Sequence, residues 1–159
     1  MVTSQSLRKM FDEKASQIEA SVAGVSDEQA KKSPAEGEWC IREVLYHLSG
    51  DVDETFIEGI GRFISEDKPA LDLTPGEVYV SPEREKASIE DLAKSVAAQY
   101  RQLGEWAAGL SDADLARIGR IGFLKEVRGS EEITLAEWAT VIGNYHLNVH
   151  IEQIRSLAK

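Results

Sequence analysis

Ile89-Glu90-Asp91-Leu92-Ala93-Lys94-Ser95-Val96-Ala97-Ala98-Gln99-Tyr100-Arg101-Gln102-Leu103-Gly104-Glu105-Trp106-Ala107-Ala108-Gly109-Leu110 is the stretch whose reading decides the fold. Ile89, Val96, Leu103 and Leu110 recur every seven residues, with Leu92, Gln99 and Trp106 interleaved. A repeat of seven keeps one helix face turned to its neighbours, the seam of a helical bundle. Gly109 stops the helix, and Ser111-Asp112-Ala113-Asp114 offers a capped start for a short piece beyond it.

Working outward from this seam, three more helical patterns emerge. Leu7, Phe11, Ala15, Ile18 and Val22 lie on one face of a first helix that ends at Gly24. Ser26-Asp27-Glu28-Gln29 then repeats the short-piece signal. A second long helix is expected after Trp39 and on to about Ser65, with Ile41, Val44, Leu45, Leu48, Val52, Phe56, Ile60, Phe63 and Ile64 as its apolar positions. Gly59 and Gly61 weaken its far half, each by up to ~1 kcal/mol relative to Ala. A fourth begins near Thr134 and runs to the end, its inner stripe expected at Leu135, Trp138, Ile142, Tyr145 and Val149. Residues 67–87, with Pro69, Pro75 and Pro82, and residues 116–133, with Gly119, Gly122 and Gly129, are long connections. Connections of that length permit crossover to a parallel neighbour. The expected fold class is all-α, a four-helix bundle with long crossover connections, in one domain spanning residues 1–159.

Composition narrows the function. The 159 residues carry 28 acidic and 18 basic side chains, a formal charge of −10, and a single Cys. One Cys excludes an intramolecular disulfide framework and a Cys-rich zinc site. The acidic balance speaks against a nucleic-acid partner, where affinity comes from clustered Lys and Arg. No apolar leader opens the chain and no run approaches the ~18 apolar residues of a membrane span. The expectation is a cytoplasmic protein without a membrane partner.

There are three His. His146 and His150 stand in Asn144-Tyr145-His146-Leu147-Asn148-Val149-His150-Ile151-Glu152-Gln153-Ile154, four residues apart on one helix face, so both imidazoles can approach a single ion. His47 adjoins the apolar stripe of the second helix, beside Val44 and Leu48. Bundles build metal sites from side chains on facing helices. Helical His are also commonly surface residues or hydrogen-bonded core residues, and spacing alone leaves both readings open. Three imidazoles suit Zn, Ni, Cu or Fe(II) and leave a position for water or substrate. A His-Glu-x-x-His mechanism is excluded, because Leu147 stands where that motif has its Glu.

Pro34-Ala35-Glu36-Gly37-Glu38-Trp39 leading into Ile41-Arg42-Glu43-Val44-Leu45-Tyr46-His47-Leu48, together with Tyr145-His146 through His150 to Gln153-Ile154, resembles the DinB-like (DinB/YfiT) metalloenzymes. The resemblance covers nearly the whole chain. It implies an up-down-down-up helix order and a divalent metal, Zn or Ni first and Fe or Mn next, held by His47, His146 and His150. It also implies a homodimer and a small-molecule substrate. Relatives include S-transferases and isomerases that use low-molecular-weight thiols such as bacillithiol or mycothiol. One departure is Cys40, where the family commonly has Ser or Thr to cap the helix with Glu43.

Asp51 and Glu54, four and seven residues after His47 on the expected second helix, are candidate bases, hydrogen-bond partners of an imidazole or a fourth ligand; a solvated acidic face is the competing reading. Gln153 shares the face of His146, and Gln99 interrupts the seam. Trp39 and Tyr145 are candidate pocket walls, while Trp106 and Trp138 read as plain core. The 67–87 connection, with Leu71, Leu73, Val78, Tyr79 and Val80, is a candidate lid. Three functions remain open at this point: a thiol-dependent transferase, a metal-dependent hydrolase, and a non-catalytic stress-response or binding protein.

Overall fold

The computed structural model describes residues 2–159. In chain order it contains α1 (Ser4–Ser21), α2 (Asp27–Ala30), α3 (Ile41–Leu48), α4 (Phe56–Ser65), β1 (Ala70–Leu71), α5 (Pro82–Lys86), α6 (Ile89–Ala108), α7 (Asp112–Leu115), β2 (Ile118–Ile121), α8 (Leu124–Arg128), β3 (Glu132–Thr134), α9 (Leu135–Thr140), a π-helical segment (Val141–His146) and α10 (Leu147–Leu157). The bundle helices are α1, α3 with α4, α6, and α9 continued through the π segment into α10.

Their directions follow from which residues meet. Gly104 faces Arg8 and Phe11, and Arg101 makes a two-pronged ion pair with Glu19 (2.9 and 2.7 Å), so α1 and α6 run antiparallel. Met10 packs on Gly143, and Lys14 donates to Asn148 at 2.6 Å, so the fourth helix runs with the first. The Arg42 guanidinium reaches the Ala87 carbonyl just before α6, and the Tyr100 hydroxyl donates to the Leu48 carbonyl. The second and third helices are therefore parallel. The result is a four-helix bundle in up-down-down-up order.

The heptad seam of α6 is buried at Ile89, Leu92, Val96 and Leu103. Beside it runs a stripe of Ala93, Ala97, Tyr100, Gly104 and Ala107, also buried, which lets α1 approach closely. Phe11 is fully buried at this contact and its ring stacks on Tyr100 at 6.3 Å. One apolar cluster continues from there through Leu45, Leu48, Phe63, Leu135, Leu147 and Ile151. Among the described residues no helix is long and apolar enough to cross a membrane.

Two expectations are corrected. The second helix is not continuous: α3 ends at Leu48 and α4 starts at Phe56. Gly50 takes the left-handed conformation (φ 69°) and the Phe56 ring occupies the space its Cβ would need, 2.9 Å away. Thr55 then caps α4, accepting from the Glu58 N–H while Glu58 accepts from the Thr55 N–H. Thr55-Phe56-Ile57-Glu58 is a capping-box sequence, so the restart was legible; the apolar spacing across it masked the break. Gly59 and Gly61, by contrast, are inside α4 without breaking it.

The second correction concerns the fourth helix. Tyr145 is 71% exposed and Val149 49% exposed, whereas Leu147, Ile151 and Ile154 are buried. The π segment adds a residue to the turn and rotates everything beyond it, so the inner stripe shifts after Ile142. The two long connections carry short regular elements of their own. Leu71 of β1 pairs in parallel with Ile121 of β2, and Ile118 of β2 pairs antiparallel with Thr134 of β3. Strands of two to four residues are too short for an alternating pattern to show, and Gly119 sits in β2 because the buried Phe63 ring lies where its Cβ would be.

Helix caps set the acid sensitivity of this scaffold. Glu137, Glu58 and Asp114 each accept hydrogen bonds from their cap residues Thr134, Thr55 and Ser111, which hold their carboxyls below the usual range. A carboxylate with a depressed folded-state pKa stabilises the fold above its unfolded value near 4.5, and that contribution disappears as pH falls through the folded value. Urea midpoints should therefore fall between pH 5 and pH 3, and the gap between wild type and Glu137→Gln should narrow over the same interval.

Candidate metal centre

His47 lies in the last turn of α3. That helix is set by Ile41, Val44, Leu45 and Leu48 packing inward and by the Glu43 carboxylate, which accepts from the Cys40 N–H at 2.8 Å. His146 ends the π segment and His150 follows one turn into α10, both on the border of the buried Leu147–Ile151–Ile154 stripe. Because the second and fourth helices are antiparallel, the three rings meet. Their centroids are 5.0 Å (His47 to His146), 4.7 Å (His47 to His150) and 4.7 Å (His146 to His150) apart. One potential ligand nitrogen from each lies within 4.8 Å of the others, and all three residues are half-buried.

Two of the rings are tied from behind. His47 Nδ1 is 2.6 Å from the Glu77 carbonyl oxygen, which can only accept, so Nδ1 carries the proton and Nε2 is left as a lone pair. His47 Nε2 points at His146 Nε2, 2.8 Å away. His150 Nδ1 donates to the Gln153 side-chain oxygen at 2.9 Å, which frees its Nε2 in the same way. Burial pushes the His146 imidazole down to about 3, reinforced by His150 and His47, and burial likewise lowers His150. Neutral imidazoles with free Nε2 atoms are what a divalent cation needs, and bare lone pairs at 2.8 Å repel unless a proton or a cation lies between them. The donor set fits a divalent metal. Three neutral nitrogens leave the identity of the ion open among Zn, Ni, Fe and Mn.

Trp39 forms one wall, its ring 5.0 Å from His47 and 6.0 Å from His150, nearly parallel to the latter. Beyond Trp39 and Gln153 opens a broad cleft of about 800 Å³, lined also by Lys32, Pro34, Ser156 and Leu157. Tyr145, the other expected wall, faces solvent. Trp138 is core, as its spacing suggests, and Trp106 is partly covered.

Asp51 and Glu54 do not stand on a helix with His47. Both are exposed in the 49–55 loop, where the Asp51 carboxylate accepts from the Asp53 N–H and Glu54 lies beside Gly59. Neither belongs to the three-His group, the one such grouping among the described residues. Cys40 is a buried thiol raised by desolvation, the opposite of an activated thiolate. The residue reasoning missed is Glu77, which acts through its main chain; a carbonyl has no side-chain signature, and only the Thr74-Pro75-Gly76 turn before it hints at a chain reversal.

With this geometry in hand, likeness to known proteins is informative. No functionally curated protein matches the chain. Among solved structures it is similar to YfiT from Bacillus subtilis, described as a probable metal-dependent hydrolase with an unusual four-helix bundle topology. The TM-score is 0.74 at 18% identity, covering 97% of this chain and 85% of that one. At that identity the likeness establishes the fold. The sequence pattern of the DinB superfamily matches residues 10–154, a span that takes in all three histidines and reaches from within α1 to within α10. The chain belongs to the DinB superfamily.

Proposed function

We propose that this protein is a divalent-metal-dependent enzyme acting on a small molecule, with His47, His146 and His150 as the ligands. The observation that carries the reading is the convergence of three imidazoles from two antiparallel helices, two of them held by Glu77 and Gln153 with Nε2 free. A bound divalent ion would supply Lewis acidity, bringing a coordinated water toward a pKa of about 7 or taking a thiol as its thiolate. The chain's own part is to orient the rings, with Trp39 packed on His47 and His150 between them and the cleft that would receive a substrate.

Hydrolysis is supported by the description of YfiT. Thiol transfer is supported by a specific feature: among the described residues no Asp or Glu joins the three histidines, so the group contains no carboxylate base for water, and a thiol needs less help to ionise. The acidic surface, with a net charge of −10, supports a small substrate over a nucleic acid.

Untagged protein loaded separately with Zn2+, Ni2+, Mn2+ and Fe2+ should be assayed on nitrophenyl esters, and on monobromobimane or chlorodinitrobenzene with small thiols. At least one metal form should turn over, and His47→Ala should lower the rate by roughly 10²-fold or more. Turnover that requires the thiol identifies a transferase; turnover without it identifies a hydrolase. Rates indifferent to His47→Ala would sink the enzyme reading, and a metal-loaded protein inert in every assay would favour the binding-protein alternative.

A further inference from the structure

Arg84 lies on α5, inside the connection that delivers Glu77 to His47. Its guanidinium spends its donors on main-chain carbonyls. Nη1 donates to Gly50 (2.8 Å) and to Tyr79 (2.8 Å), and Nη2 donates to Ser49 at 3.3 Å. Ser49 and Gly50 directly follow α3, where helix carbonyls lack intrahelical donors and a cation is favourably placed. Tyr79 is two residues beyond Glu77. One planar side chain therefore bridges the end of the helix that carries His47 and the strand of connection that orients His47.

The other end of Arg84 is also anchored. Its carbonyl accepts from Arg42 Nη2 at 2.8 Å. Arg42 is buried in α3, donates through Nε to the Tyr46 hydroxyl, and also reaches the carbonyls of Glu85 and Ala87. Thus α5 is held against the start of α3 through its backbone and against the end of α3 through the Arg84 side chain.

We infer that Arg84 is a positioning residue of the metal centre: it pins residues 77–79 to the end of α3, so that the Glu77 carbonyl keeps His47 protonated at Nδ1 with Nε2 turned to His146 and His150. The inference rests on the metal-binding reading above for its functional meaning, while the His47 tautomer is a property of the metal-free chain. Five donors in a rigid fork serve three carbonyls at once; a Lys ammonium in the same place serves fewer and holds the strap less firmly.

The test compares wild type, Arg84→Met and Arg84→Lys, with Arg101→Met as a control that removes only the ion pair with Glu19 on the α1–α6 face. Two quantities are read: the His47 tautomer from nitrogen NMR shifts of metal-free protein, and Zn2+ affinity by competition with a chromogenic chelator. Arg84→Met should convert His47 from the Nδ1-protonated form to a mixture and weaken Zn2+ binding by about 10- to 100-fold, the usual cost of losing a ligand's orienting partner. Arg84→Lys should move both readouts part of the way, and Arg101→Met should move neither. A wild-type tautomer or wild-type affinity in Arg84→Met overturns the inference. Should that variant fail to fold, a wild-type tautomer in Arg84→Lys does the same. A wild-type protein that takes up no Zn2+ defeats the metal reading instead, and the tautomer comparison still decides the role of Arg84.

Discussion

His146→Ala should abolish metal uptake, taking elemental analysis from about one equivalent per chain to below about a tenth, as expected when a three-ligand site loses one donor. The same substitution should remove metal-dependent stabilisation. A ligand at a hundred times its dissociation constant stabilises the folded state by about 2.7 kcal/mol, and a chain of this size shifts its Tm by about 2–4 °C per kcal/mol. Wild type should gain roughly 5–11 °C on saturation with the preferred ion, and His146→Ala should gain nothing. His146 is a sharp choice because its Nε2 faces His47 Nε2 at 2.8 Å and burial pushes its imidazole down to about 3. The thermal scan also ranks candidate ions without an assumed substrate. A full thermal gain retained by His146→Ala would show that the ion binds elsewhere.

Phe11→Ala should be the most damaging of the core truncations at the α1–α6 interface. The ring is completely buried, stacks on Tyr100 and lies beside Gly104, where the two helices approach closely. Removing a buried Phe costs about 3–5 kcal/mol, from lost transfer energy and from a cavity that neighbours only partly fill. Against a typical total of about 5–15 kcal/mol, that is a large fraction. Urea unfolding followed by circular dichroism measures it. Gly104 sits beside the site with no side chain to refill it, and a Cβ added there would already meet the Arg8 carbonyl oxygen and the Phe11 Cβ at 3.2 Å. A loss below about 1 kcal/mol would mean that α1 re-docks, contrary to the close packing described.

The bundle was legible in the sequence because its strongest signals are long and periodic. Seven-residue recurrence in α6 and the 4-4-3-4 spacing in α1 each leave the apolar residues on one face, and both faces are buried. The histidine cluster was legible for a related reason: two of its members share a helix turn, the third adjoins the apolar stripe of the second helix, and the family resemblance joined all three at one ion. What failed were features shorter than one period or made by the main chain. The π segment shifts the stripe without any residue type that marks it, so Tyr145 and Val149 were misplaced while His146 and His150, on the border of either stripe, stayed inward. The 49–55 break carried a capping box that the continuing apolar spacing concealed, and Asp51 and Glu54 inherited a helical register that does not exist. The Glu77 carbonyl and the paired strands depend on contacts between connections far apart in sequence, which no local pattern encodes.

The up-down-down-up order has a consequence for how the chain assembles. The principal neighbour of α1 is α6, so their contact closes a loop on the order of 70 residues, against about 5 in a simple up-and-down bundle; the extra closure entropy is about 2 kcal/mol. Helical bundles usually fold fast because their contacts are local. This one places its largest interface late in chain separation and adds a parallel strand pair between two connections, both of which raise contact order and slow folding. His47 and His146 lie 99 residues apart in sequence, so the histidine centre is completed only once that long-range framework has closed. An ion that prefers the finished triad therefore acts on the unfolding rate more than on the folding rate, as a latch on the completed structure rather than a template for it.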